Sequence, residues 1–156
     1  RHLRYAPPVE YVIRGSEHNG DGYFTVRWSP FARADKYEIV KRVPAVGGIL
    51  EIYYRDQAEA LNLFCLQRSW YGGLRSMLRE RTDPELEKDP RRLAILLEWK
   101  DRIYYRYSCT DSQADLQDVM FFLAATYAPG QSAVDHSGRY ERIYLKEIDA
   151  DKLVTF

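Results

Sequence analysis

The stretch from residue 47 to residue 79, GGILEIYYRDQAEALNLFCLQRSWYGGLRSMLR, restricts the fold more than any other. Its first run alternates. Leu50, Ile52 and Tyr54 share one face, and Glu51, Tyr53 and Arg55 share the other. Residues 61–68 alternate as well, and period-two patterning marks half-buried strands. Residues 56–60 are polar and short, so the two runs are expected to pair as an antiparallel hairpin. Trp70, Tyr71, Gly72 and Gly73 then lead into an amphipathic helix. The rest of the chain reads as packing against this unit.

Before it, residues 1–8 read as a loosely held arm with a Pro-Pro pair. Residues 9–14 and 23–28 are β-like around the turn signal Asn19-Gly20-Asp21-Gly22. That pair is expected to form a hairpin. Residues 37–43 look extended and stop at Pro44, which biases Val43 away from helix. After it, Asp89-Pro90 is a helix start, with Asp as N-cap and Pro at the first helical position. Leu93, Leu96 and Leu97 follow on one stripe. Residues 103–109 alternate again: Ile103, Tyr105, Tyr107 and Cys109 face one way, Tyr104, Arg106 and Ser108 the other. Ser112 and Asp115 have capping-box-like spacing before the apolar stripe Leu116, Val119, Met120, Leu123 and Tyr127, and Pro129-Gly130 ends that helix. Residues 138–148 and 153–156 read as closing strands.

The expected fold is α+β: a three-stranded antiparallel sheet flanked by about three helices, with additional N- and C-terminal β-hairpins. Residues 1–43 form an arm and hairpin on the core, 44–130 the core, and 131–156 a C-terminal β extension, in one compact domain. The 156 residues suffice for a real core, burying about 70% of the unfolded surface. At 46% apolar, with thirteen Tyr and three Trp, the chain is one that folds. Its net charge of zero excludes the global basic field of a dedicated non-specific DNA binder. Arg outnumbers Lys, which suits bidentate phosphate or carboxylate contacts, or simply covers a Tyr-rich surface. Cys65 and Cys109 lack metal-site spacing. They read as reduced thiols in a cytoplasmic protein, with a single bridge between neighbouring strands left open. No segment reaches the length of a membrane span, and Arg1 in place of Met allows a leader or longer N-terminal part upstream.

The order and spacing of residues 46–129 resemble the GIY-YIG endonuclease domain. Gly48-Ile49 followed by alternating Tyr is similar to the first family strand, and residues 63–69, with their exit Arg68-Ser69, to the second. Leu74 to Leu78 stands where the first family helix begins, residues 103–109 resemble the third strand, and 110–129 the last helix with its ending Tyr127-x-Pro129. The resemblance implies nuclease chemistry: a Tyr in each signature tripeptide, an Arg on the first helix, and a Glu on the last helix that binds one divalent metal. This sequence departs at those places. Leu50 closes the first tripeptide, Cys65 and Gln67 occupy the second, and Met77 falls at the Arg position with Arg75 two residues away. Met120 falls at the metal position, where a thioether does not hold magnesium. Asp118 lies about 200° round the helix from Met120. A kept scaffold without its chemistry is the resulting expectation. Tyr53, Tyr54 and Arg75 are the catalytic candidates if activity survives, and Mg or Mn enters only in that case.

Two binding surfaces are expected. Trp70, Tyr71, Gly72 and Gly73, with Arg68, Arg75 and Arg79 around them, combine exposed amides, aromatics and cations that suit a phosphate and a stacked base. The same residues also read as a tight strand-to-helix turn with Trp70 as a core lid. Tyr53, Arg55, Tyr104 and Arg106 make an aromatic-basic face, either a platform or a packing face. Asp135-His136-Ser137 reads as a solvated loop, because triad members come from distant segments. The function expected is a non-catalytic binding module for nucleic acid or a protein partner. A divergent divalent-metal-dependent endonuclease and a self-associating structural subunit are the alternatives, and the oligomeric state is open.

Overall fold

The computed structural model describes residues 10–127, 135–150 and 153–154. The arm at residues 1–8 and the helix end at Pro129-Gly130 lie outside them. The chain is α+β, with four α-helices and eight strands in two sheets among the described residues. Strands β1 (Ile13–His18) and β2 (Asp21–Arg27) form the expected hairpin, turning at Asn19 and Gly20, both with positive φ, but its first strand lies at residues 13–18 rather than 9–14. β3 (Phe31–Arg33) and helix α1 (Lys36–Arg42) follow. β4 (Gly48–Arg55) and β5 (Leu61–Ser69) form the central hairpin, and helix α2 (Gly73–Thr82) follows it directly. Helix α3 (Pro90–Trp99) leads through a 3-10 turn to β6 (Ile103–Cys109). Helix α4 (Gln113–Tyr127), β7 (Ile143–Ile148) and β8 (Leu153–Val154) complete the order.

The larger sheet runs β5-β4-β6-β3-β8 and the smaller β1-β2-β7. β4 pairs antiparallel with both β5 and β6. Its two faces carry two cores. On one, Leu50, Ile52, Phe64, Cys65 and Tyr105 pack against Ile39 and Val43, Leu74 and Leu78 of α2, and Leu96 of α3. On the other, Ile49 joins Ile13, Val26 and Trp28 and the α4 stripe Leu116, Val119, Met120 and Leu123. Phe64 and Cys65 reach the same core because a register shift interrupts the ladder between Ile52 and Tyr53.

Three expectations need correction. Residues 37–42 are helical, not extended, while Val43, before Pro44, is extended as expected and caps the helix. Asp35 Oδ1 accepts from the N–H groups of Tyr37 and Glu38, and Ile39 and Val43, four apart, enter the core together. The central sheet has five strands rather than three, since β3 pairs with β6 and β8 pairs parallel with β3. Among the described residues no C-terminal hairpin forms: β7 pairs parallel with β2 in the smaller sheet, while β8 joins the larger. The short strands there have no sequence signal for a partner, and the unpaired edges of β2 and β3 supply one. The helix starts hold as expected. The Asp89 carboxylate accepts from Arg92 N–H with Pro90 first in the helix, and Ser112 Oγ accepts from Asp115 N–H at 3.1 Å. Among the described residues no helix is long and apolar enough to cross a membrane.

Candidate functional site

The end of β5 runs into a tight turn. Gly72 (φ 81°) and Gly73 (φ 77°) both take the left-handed conformation, and a Cβ on Gly73 would stand 2.7 Å from the carbonyl carbon of Ala45. The turn therefore needs glycine to bring α2 against residues 45–46, where Leu74 N–H donates to Val46 O at 2.8 Å. Its product is a groove of about 640 Å³, a size that suits ligand sites of roughly 300–1,000 Å³. Arg68, Ser69, Trp70 and Tyr71 form one wall, Met77 of α2 a second, and the start of α4, at Gln113 and Gln117, a third.

Each wall has its own cause. Trp70 packs against the α4 core and across Gly47, where a Cβ would meet its ring at 2.7 Å, so it serves as lid and wall at once. Tyr71 is 88% exposed, with nothing of the fold resting on its ring. Ser69 is 2% exposed, and its hydroxyl has no hydrogen-bond partner among the described residues. α4 presents its N-terminus here. Its first N–H groups have no intrahelical acceptors, and Ser112 takes the one on Asp115. Among the described residues on these walls, Arg68 is the one that carries a charge.

The three arginines expected around the turn do not converge. Arg75 Nε donates to Val43 O at 2.8 Å, tying α2 to the end of α1. Arg79 turns into another cleft, beside Lys36 and Asp101, with its Nε buried and unpaired among the described residues. One helical turn separates Arg75 from Arg79, so both leave on the α1 side, whereas Met77 faces the groove.

The second expected surface is a packing face. Glu51 and Arg106 stand opposite each other in the β4–β6 ladder, 1% and 8% exposed. Arg106 Nε donates to Glu51 Oε1 at 2.5 Å and its Nη1 to Asp149 at 2.7 Å. The guanidinium lies 4.4 Å from the Trp28 ring centre and 4.7 Å from that of Phe31. Tyr53 OH donates to Glu51 Oε1 at 2.6 Å. Burial and the Glu51 charge push the Tyr53 hydroxyl pKa well up, so the hydroxyl keeps its proton. Burial also raises Glu51, against the pull of Arg106. Tyr104 is buried under the Arg55 guanidinium, and Tyr54 stacks on Trp99 at 4.8 Å on the opposite face. Neither Tyr104 nor Arg106 is open to a ligand.

The positions that carry the GIY-YIG resemblance divide between the two cores: Leu50 and Cys65 with the α1–α3 helices, Met120 with α4 on the far face of the sheet. Asp118 is 1% exposed and accepts from Ser137 N–H, Ser137 Oγ and Arg139 Nη2. Ser137 is thus held by Asp118 rather than by His136, whose Nδ1 accepts from Gly138 N–H. Cys65 and Cys109 are free, and burial pushes each thiol up to about 11. No group of three or more His, Cys, Asp or Glu among the described residues is arranged to hold a metal ion.

Reasoning from the sequence missed Glu51 and the α4 wall. The capping spacing of Ser112 and Asp115 did signal where α4 begins. What that start stands beside depends on the sheet between.

The model of a protein family described as "Uncharacterised protein" matches residues 12–156. The chain belongs to that family. No curated protein and no solved structure matches it. The family match takes in both sheets, all four helices and every wall of the groove.

Proposed function

We propose that the chain is a binding module without catalytic activity, and that its ligand, a nucleic acid or a segment of a partner protein, occupies the groove beside Trp70 and Tyr71. The observation that carries this is the exposed Tyr71 ring beside Arg68 and the α4 N-terminus, over a groove large enough for a ligand. An aromatic held out in water contributes nothing to the fold, while an exposed ring beside donors is suited to contact. The order of hairpin, helix, third antiparallel strand beside β4 and last helix supports a GIY-YIG-like scaffold beneath it. The division of Leu50, Cys65 and Met120 between two cores supports a role other than phosphodiester cleavage. The two free cysteines support a reducing compartment such as the cytoplasm.

The test is an amide chemical-shift titration with a short oligothymidylate and, separately, with a mixture of short acidic peptides. Shifts confined to residues 68–73 and 113–117, and weakened by Tyr71→Ala, are expected. If neither probe moves those amides, or Tyr71→Ala leaves binding unchanged, the groove is not the site. Cleavage of plasmid by the protein in magnesium or manganese would overturn the non-catalytic reading.

A further inference from the structure

We propose that the groove takes an extended peptide segment bearing an acidic residue, which adds as a strand to the free edge of β5. This rests on the binding-module reading and narrows its ligand. β5 ends the five-stranded sheet, so among the described residues its outer N–H and C=O groups have no strand partner. An open edge of this kind is a template for another strand, and folds usually blunt it with Lys, Pro, bulges or a covering element. β5 contains neither Lys nor Pro. Its register shift falls by Phe64, which leaves Cys65–Ser69 in regular register with β4.

The groove lies along that regular end. Met77 of α2 stands on one side of the sheet edge and Leu116 of α4 on the other. A strand laid there would send alternate side chains towards each helix, the arrangement by which edge addition gains specificity. Ser69, buried at the inner wall with an unpartnered hydroxyl, would find a backbone group of the added strand to bond.

Charge selects an acidic segment. Arg68 stands at the end of the edge, and the α4 N-terminus carries the positive end of its dipole towards the same space. The same count weighs against nucleic acid. A nucleic-acid strand presents one phosphate per nucleotide, and affinity grows with each phosphate a cation neutralises. One arginine on the described walls of a neutral chain matches one carboxylate better than a run of phosphates.

The experiment is a selection from a displayed library of random short peptides against the full chain. Sequences that alternate β-branched or aromatic residues and carry Asp or Glu at one end are expected to enrich. A selected peptide should slow amide exchange in residues 65–69 and leave β1, an edge of the smaller sheet, unchanged. Arg68→Glu, an exposed substitution, should weaken the peptide by about tenfold or more, the size of one charge-assisted hydrogen bond. A peptide with its acid replaced by Lys should recover binding to that variant. Three results would overturn the proposal: no enrichment beyond that seen with Ala114→Trp, which fills the groove; protection of β1 instead of β5; or groove binding by oligothymidylate with none by peptides. The last would leave the binding-module reading intact, whereas silence from every probe at the groove amides would remove both.

Discussion

Arg106 faces Glu51 across the β4–β6 ladder, and both charges are buried between the sheet and the residues that cover it. The rings of Trp28 and Phe31 flank the guanidinium, Asp149 takes its outer nitrogen, and Trp28 Nε1 donates to Glu147 at 2.8 Å. One buried cation thus ties the sheet centre to the segment that follows β7.

Removing one partner of such a pair strands the other charge out of water. Arg106→Met is expected to lower stability by about 3–5 kcal/mol, and Glu51→Gln with Arg106→Met together by clearly less than the sum of the single changes. Urea unfolding of the four members of that cycle checks this. Additive effects would show that the two side chains do not act as a pair.

Two carboxylates give opposite pH slopes. Burial alone would raise Glu87, but the Arg92 side chain, the Asp89 N–H and Arg81 outweigh it and hold it below the usual value. Its contribution is therefore present above the ordinary carboxyl value near 4.3 and is lost as pH falls through the lower folded value. Glu51 is raised, so its ionisation costs stability as pH climbs from about 4.3 through the folded value. Glu87→Gln should flatten the acid limb, and Glu51→Gln the decline on the other side. Unfolding midpoints from about pH 3 to about pH 7 read both slopes.

Two glycines should respond very differently to one methyl group. A Cβ on Gly48 would collide with the Ser108 carbonyl oxygen and stand 2.9 Å from Leu74 Cδ1, both fixed in the sheet and core. Gly48→Ala is expected to cost about 3 kcal/mol or more. Gly20 has φ +82° with nothing within 4 Å, so Gly20→Ala meets backbone strain alone, about 1–2 kcal/mol. Thermal unfolding of both variants orders them, and the reverse order would contradict the packing at Gly48.

Asp118 holds residues 137–139 against α4 through three hydrogen bonds, of 2.7, 2.8 and 2.6 Å. Arg139 also reaches Asp115 at 2.9 Å. Asp118→Ala should remove about 2–3 kcal/mol and speed amide exchange at Ser137 before any other site. Unchanged exchange at Ser137 would show that the loop does not depend on the carboxylate.

The strands and helices with one strong local signal were legible: the alternation of β4 and β6, the capping residues of α3 and α4, and the Gly72-Gly73 entry to α2. Residues 37–43 show where that legibility ends. Tyr37, Ile39, Lys41 and Val43 fit a strand period, while Ile39 and Val43 fit a helix equally well. The Asp35 cap, with Glu38 three residues on, was the deciding signal. At the groove, Arg68, Trp70 and Tyr71 were foreseen, but Arg75 and Arg79 were expected beside them. Sequence spacing brings three cations near one turn and is silent on which side of α2 each one leaves.

By itself the chain's order of residues determined which segments alternate, which ones coil and where each helix starts, because those choices rest on contacts within a few residues. Tertiary structure alone decided that β7 crosses to β2 while β8 crosses to β3, that Glu51 meets Arg106 fifty-five residues away, and that α4 opens beside the end of β5. Those pairings depend on which edges and faces are left uncovered once the local pieces have formed, and no short window of sequence carries that information.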